Sequence, residues 1–486
     1  MKKLLPVLIA VLILFPLCQI CQIRQVRASP GWLSGWDRRV QIIIDSGDID
    51  ANLTSFPVLI YLSNSSSGIY DEDVSFVFDE VEANSKKIAV TVGEDTETFV
   101  EIEKWDPVNE QAWLWANVTA TSATNQTLYL YYDNDHADNT DYVDVTETGN
   151  STNVWDSDYE YVWHMRDKNT STVADSTGNN NDGTKVGANQ PVVTTAGQID
   201  DAQDFDGTND YIDNPADLPS TYTVEAWVTV GLDAERYFHG GVDNKYAGLI
   251  GYDYITDKFR AVKHASDSYI VTDAVDTGIL YYITYAVDGT YHEIFRDGVS
   301  RDSATTANTA TTDTALYVGK RNDGKFWKGI QDENRLSNIV RSDAWIKASY
   351  ESGRDDLLDF GPEDTGIIYT VTFYNNTGGI LRLNNATVAN GTETEYGNNT
   401  VVELAAIVEG NLTYGFANYT WNGNYNITNP YDWTVTYGAS NLTLWCYFGA
   451  LEAAAAEDTA FDGIMWMGIA GIIGAVVAAV ILQKRH

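Results

Sequence analysis

Tyr222-Thr223-Val224-Glu225-Ala226-Trp227-Val228 alternates its side chains with a period of two and mixes β-branched with aromatic residues, the pattern of a strand in an antiparallel sheet. The same alternation recurs on either side, in Val40-Gln41-Ile42-Ile43-Ile44, Phe56-Pro57-Val58-Leu59-Ile60-Tyr61-Leu62, Thr127-Leu128-Tyr129-Leu130-Tyr131-Tyr132 and Tyr369-Thr370-Val371-Thr372-Phe373. Clusters of Gly, Asn, Asp and Thr separate these runs, and few segments look helical. The exception is Arg341-Ser342-Asp343-Ala344-Trp345-Ile346-Lys347-Ala348-Ser349-Tyr350, which predicts a short helix capped by Ser342 or Asp343 that packs Trp345 and Ile346 on a sheet. A chain of 486 residues has room for about three domains. Turn-rich breaks at 133–157 and 351–366 divide it accordingly. The expected fold is all-β: β-sandwiches over 32–150 and 158–352, a small C-terminal β module over 366–449 and one C-terminal transmembrane helix.

The composition is that of a folded protein, 44% hydrophobic and 12% aromatic, yet 30 Lys and Arg face 69 Asp and Glu for a formal charge of -39. Such a surface cannot neutralise phosphates, so nucleic acid is excluded as a partner. The charge is unevenly placed. Residues 1–28 and 463–486 contain no acid, and they hold Lys2, Lys3, Arg24, Arg27, Lys484 and Arg485. Met1-Lys2-Lys3, the apolar run from Leu4 to Ile20 and Val26-Arg27-Ala28 predict a signal peptide over 1–28, cleaved after Ala28, with an uncleaved signal anchor as the alternative. The uncharged stretch from Ile464 to Leu482 lies between acids (Glu452, Glu457, Asp458, Asp462) and Gln483-Lys484-Arg485-His486. This predicts a linker over 450–462, a transmembrane helix over 463–482 and a cytoplasmic tail over 483–486. The chain then sits in the cell membrane as a single-pass type I protein, its ectodomain outside.

Cys18 and Cys21 fall in the signal, which leaves Cys446 alone in the mature chain and excludes an intrachain disulfide. Cys446 reads as a strand residue. Asn-x-Ser/Thr sequons cluster toward the membrane, at Asn375, Asn385, Asn390, Asn398, Asn411, Asn418, Asn426 and Asn441, and predict a glycosylated stalk. With the C-terminal anchor they point to an archaeal surface protein.

The segment 32–150 carries Trp36-Asp37-Arg38-Arg39-Val40, Asp73-Val74-Ser75-Phe76, Val100-Glu101-Ile102-Glu103-Lys104-Trp105-Asp106, Ala112-Trp113-Leu114-Trp115-Ala116-Asn117-Val118 and Leu128-Tyr129-Leu130-Tyr131-Tyr132-Asp133-Asn134. It resembles the prokaryotic extracellular family known as domain of unknown function 2341, which brings no activity with it. The segment 158–352 opens on Tyr161-Val162-Trp163-His164-Met165 and Val173-Ala174-Asp175-Ser176-Thr177-Gly178-Asn179-Asn180-Asn181-Asp182-Gly183-Thr184. It continues through Ala202-Gln203-Asp204-Phe205-Asp206-Gly207-Thr208-Asn209-Asp210-Tyr211-Ile212, Leu316-Tyr317-Val318-Gly319 and Phe326-Trp327-Lys328-Gly329-Ile330-Gln331-Asp332-Glu333-Asn334-Arg335-Leu336-Ser337-Asn338. This series resembles laminin-G-like, concanavalin A-like lectin jelly rolls, apart from Asn334, where those domains carry an apolar residue. Trp163, Phe205, Trp227, Phe295, Tyr317 and Trp327 are expected to fill its core. Segment 366–449 is similar to a single unit of the internalin-type B repeat, which implies a spacer.

The laminin-G-like resemblance implies carbohydrate or protein binding, often with calcium, and some relatives are glycoside hydrolases. Those hydrolases need the strand pattern Glu-x-Asp-x-x-Glu, and Glu-x-Asp occurs nowhere in this chain. No zinc-helix, Gly-x-Ser-x-Gly or Walker motif is present either, so no enzymatic activity is expected. Asp206, Asn209 and Asp210, joined by Asp175 or Asp332, are the candidate calcium ligands, against the alternative that their side chains only close turns. The expected function is a membrane-anchored extracellular binding or adhesion protein that recognises a glycan or a surface glycoprotein at loops such as 233–257 and 300–313. A structural component of a glycosylated cell coat or viral envelope is the alternative reading, and a glycoside hydrolase the third.

Overall fold

A computed structural model describes residues 32–450, apart from 65–72, 169–170, 187–189, 232–235, 245 and 366–367; after 367 the strands alone are described. The expected signal peptide, transmembrane span and tail lie outside these residues, as does the linker beyond Ala450. So do the sequons Asn385, Asn390, Asn398, Asn411 and Asn441. Among the described residues no helix is long and apolar enough to cross a membrane. The chain divides into two compact units, 31–365 and the residues from 366 on.

The first sandwich faces a four-stranded sheet, in the order Leu53–Leu62, Gln111–Ala120, Val100–Asp106, Val143–Val145, against a five-stranded one. The five-stranded sheet runs Leu358–Asp364, Arg39–Ile44, Gln126–Tyr132, Ile88–Val92, Thr96–Thr98. Alternation puts Val40, Ile42 and Ile44 inside with Phe56, Val58, Ile60, Leu114, Leu128 and Leu130, all buried in one cluster. Two features depart from expectation. The stretch 351–366 is no mere break, because Leu358–Asp364 pairs antiparallel with Arg39–Ile44 and returns the chain to its first sandwich. Ser75–Val81 is a helix that buries Val77, Phe78 and Val81.

The second sandwich has two eight-stranded sheets. The back sheet includes Ala202–Asp206, Lys328–Ser337, Thr221–Val228, Tyr281–Asp288 and Tyr291–Arg296 as consecutive neighbours. The front sheet runs Thr172–Val173, Gly183–Lys185, Ile212–Asn214, Leu316–Val318, Arg236–Gly241, Leu249–Asp253, Lys258–Val262, Ile270–Ala274. Between them lie Trp163, Phe205, Val224, Phe238, Ile250, Phe259, Tyr285 and Trp327. Gly183 is required here, since a Cβ would stand 2.5 Å from the Trp163 ring. Asn334, the departure from the family pattern, is buried and accepts the Tyr161 hydroxyl at 2.6 Å, so the polar substitution carries its own partner.

The expected helix forms over Asp343–Gly353 with Ser342 as its cap, the Ser342 hydroxyl accepting from Trp345 N at 3.2 Å. It bridges the two sandwiches. Ile346 packs with Ala286 and Phe295 of the back sheet, whereas Trp345 meets Phe56 of the first sandwich edge-on at 5.0 Å. Leu59 N also donates to Ser352 Oγ at 2.8 Å. Trp227 and Phe295 accordingly fill the layer under this helix, not the space between the sheets.

The residues after 367 form a five-stranded and a four-stranded sheet. Ile368–Asn375 runs parallel to Leu442–Ala450, which contains Cys446. Asn375, Asn418 and Asn426 fall on strands Ile368–Asn375, Tyr414–Trp421 and Asn424–Asn426.

Candidate functional site

The back sheet of the second sandwich is covered on both faces, by the front sheet and by the helix with the first sandwich. The front sheet is different. Its inner side chains, Ile212, Leu316, Val318, Phe238 and Ile250, belong to the core, so period-two alternation turns Asp213, Tyr317, Tyr237, Leu249 and Arg260 outward. Asp213 pairs across the strands with Tyr317, which pairs with Gly240. Over Gly240 runs a short hairpin, Lys320–Arg321 and Lys325–Phe326.

At one end of this outer face Tyr211, Tyr317, Lys320 and Phe326 form a partly exposed cluster beside exposed Asp213. The tyrosine rings meet edge-on at 5.5 Å, and Phe326 lies 6.3 Å from Tyr211. The Lys320 ammonium sits 3.3 Å from the centroid of Tyr211 and 3.7 Å from that of Tyr317, held over both rings by their quadrupoles. Partial burial pulls the Lys320 pKa down and pushes the Asp213 carboxyl up, and each opposes the shift of the other. Toward the sheet centre the face closes over. Tyr237 lies flat against Gly251, where a Cβ would be 2.4 Å from its ring, and Arg321 stacks 4.4 Å above it. Arg260 donates to the Tyr237 hydroxyl and covers Tyr269 at 4.5 Å.

Tyr317 was expected in the core, and the structure corrects this. Parity gives Leu316 and Val318 to the core and leaves Tyr317 outside. The sequence held that signal, since Ile212 and Val318 are the apolar members of their runs, but counting large rings as core obscured it. Lys320 was missed altogether.

The expected calcium residues occupy three places. Asp206, Asn209 and Asp210 are brought together at the end of strand Ala202–Asp206. There Asp206 Oδ1 accepts from Thr208 N at 2.6 Å and Asn209 N at 3.3 Å, while Asp210 Oδ2 accepts from Asp206 N at 2.8 Å. Asp175 is buried in the loop after Thr172–Val173 and accepts from Val162 N, Thr177 N, Thr177 Oγ1 and Asn181 N. Asp332 is buried in strand Lys328–Ser337, where its Oδ2 takes Gln198 N and Ile199 N. Asp206 pairs with Lys328, four residues before Asp332 on the same strand, so roughly 13 Å of strand rise separates the two. Asp332 therefore does not join the Asp206 loop, and neither does Asp175, which takes Val162 N opposite Arg335, farther still along that strand.

The expected ligand loops contribute Asp243 and Asp313 to a shallow groove of about 690 Å³ at the sandwich rim, which Glu160, Asp217 and Asn338 also line. Asp313 Oδ2 is taken up by Asp243 N and Asn244 N at 3.0 and 2.9 Å, so this carboxylate shapes the rim.

Comparison with known proteins places this sandwich in a class. Residues 206–347 match the laminin-G-type family model described as the concanavalin A-like lectin/glucanases superfamily. That part of the chain is a lectin/glucanase-like β-sandwich. No curated protein matches the chain. Among solved structures, it is similar to domain 4 of AbnA, an extracellular arabinanase from Geobacillus stearothermophilus solved with arabinotriose (20% identity, 39% of this chain and 96% of that chain, TM-score 0.30). It is also similar to the botulinum neurotoxin serotype D binding domain (11% identity, 52% and 72%, TM-score 0.33). A third is the sialidase of Trypanosoma rangeli in complex with the inhibitor DANA (12% identity, 54% and 45%, TM-score 0.32).

Proposed function

We propose that the chain is a surface-displayed binding protein whose second sandwich recognises carbohydrate at the outer face of its front sheet, without chemistry on the ligand. The observation that carries this reading is the Tyr211, Tyr317, Phe326 and Lys320 cluster, in which all four side chains keep part of their surface exposed. Sugars combine apolar C–H faces with a rim of hydroxyls, so they are recognised by aromatic rings flanked by donors and acceptors. Tyr211 and Tyr317 supply the rings, and Lys320 and Asp213 the polar partners. A bound sugar displaces the Lys320 ammonium from the tyrosine pair and receives its hydrogen bonds. The lectin/glucanase class of the sandwich supports the same ligand class.

The first sandwich, of the kind in domain of unknown function 2341, serves on this reading as the rigid mount, locked to the second by the Asp343–Gly353 helix. The acid-free ends support export through a signal peptide and retention by a C-terminal span, with the ectodomain outside an archaeal cell and sequons in the membrane-proximal module. Screening the purified full chain on a glycan array tests the reading. Selective binding is expected, and silence together with ordered two-dimensional assembly would replace it with a coat protein.

A further inference from the structure

Where the first sandwich meets the second, three segments bring four ionisable side chains into one buried cluster. Glu101 and Glu103 lie two residues apart on strand Val100–Asp106, His164 follows strand Tyr159–Trp163, and Glu333 stands on strand Lys328–Ser337. All four are at most 2% exposed. One ligand atom each from Glu103, His164 and Glu333 lies within 4.8 Å of the others, an arrangement that among the described residues no other group of His, Cys, Asp and Glu shares. His164 Nδ1 is 2.7 Å from Glu333 Oε1 and 3.3 Å from Glu103 Oε2. We propose that Glu103, His164 and Glu333 bind a divalent transition-metal ion of the zinc class, in a closed site that fastens the two sandwiches together.

Two observations separate this cluster from an ordinary buried ion pair. Glu103 Oε1 is buried with no hydrogen-bond partner, so the polar groups of the site are not all satisfied among themselves. The surroundings are also those of a metal's outer shell, because each ligand is held from behind. Trp115 Nε1 donates to Glu103 Oε2 at 2.7 Å, and Arg335 Nε donates to Glu333 Oε2 at 3.2 Å. Behind His164, Glu101 Oε1 lies 3.3 Å from Nε2, where it can fix the tautomer that leaves Nδ1 free for a metal. Glu101 is itself anchored by Ser176 Oγ at 2.8 Å, Trp155 Nε1 at 2.5 Å and the Thr146 hydroxyl.

Arg335 backs Glu333 and is itself clamped 4.5 Å from the Trp115 ring and 5.0 Å from the Trp155 ring. One nitrogen with carboxylate oxygens is a donor set for zinc, manganese or iron, and calcium would favour more oxygens. Glu333 also holds a left-handed backbone, φ 48°, as does Met165 beside His164, φ 61°.

The test is the metal content of the purified full chain by inductively coupled plasma mass spectrometry, after equilibration with zinc and gel filtration. About one ion per chain is expected, and stripping with dipicolinate should lower Tm, with recovery on adding zinc. Glu103→Gln keeps the shape of the site and should lose the ion. Glu101→Gln, a positioning change, should weaken binding about 10- to 100-fold. Cobalt in place of zinc should give d–d absorption bands, which this variant shifts. Zinc below one tenth per chain with no Tm response would overturn the proposal, and so would full metal content in Glu103→Gln. Neither result depends on what the front sheet binds.

Discussion

His239 gives the sharpest forecast about the second sandwich. It stands in strand Arg236–Gly241 with no exposed surface, and its Nδ1–H donates to Gly248 O at 2.8 Å. Burial pushes its pKa from 6.5 down to about 4, which the Gly248 carbonyl only partly offsets. The unfolded chain therefore takes up a proton near pH 6.5 that the folded chain refuses until about pH 4. Stability is fully present above pH 6.5, declines as pH falls toward 4 and levels off below that. At about 1.4 kcal/mol per pKa unit, this one side chain removes about 2 kcal/mol between pH 7.5 and pH 5. The assay is urea unfolding of the wild-type chain and of His239→Gln at both pH values. The variant costs stability at pH 7.5 through lost packing, but its further loss on going to pH 5 should be smaller than that of the wild type by about 2 kcal/mol. Equal losses in the two proteins would refute the assignment.

Trp345→Ala removes the ring that joins the helix to Phe56, and it should destabilise the 31–365 unit by about 3–5 kcal/mol in the same unfolding assay. Asp175→Ala takes both carboxylate oxygens from four donors in the loop around Val162 and Asn181. A loss of at least about 2 kcal/mol is expected, read as a lowered denaturation midpoint. If Asp206, Asn209 and Asp210 only close their turn, as the bonds to Asp206 Oδ1 and Asp210 Oδ2 would allow, excess calcium added to metal-free protein leaves Tm unchanged. A rise of several degrees would assign calcium to that loop.

Strand content and the second sandwich were legible because alternation, the Gly-, Asn-, Asp- and Thr-rich breaks and the lectin-like motifs are local signals. The helix cap at Ser342 was legible for the same reason. Pairing of Leu358–Asp364 with Arg39–Ile44 was not, since both edges are short and nothing local states their partner across more than three hundred residues. The outer face of the front sheet was half legible. Alternation separates Leu316 and Val318 from Tyr317, but which side is solvated depends on the hairpin after Gly319. The Glu103, His164 and Glu333 cluster comes from three distant segments. Its one local sign was Glu101 and Glu103 on the same side of strand Val100–Asp106, alternating with Val100 and Ile102.

The central claim is that the outer end of the front sheet binds sugar. Isothermal titration of the full chain with a glycan selected on the array, repeated with Tyr317→Ala, tests it most directly. Tyr317 is a partly exposed side chain outside the core, so the variant should keep the wild-type Tm and bind about tenfold more weakly, a loss of roughly 1.4 kcal/mol. Wild-type affinity in a folded Tyr317→Ala variant would contradict the account.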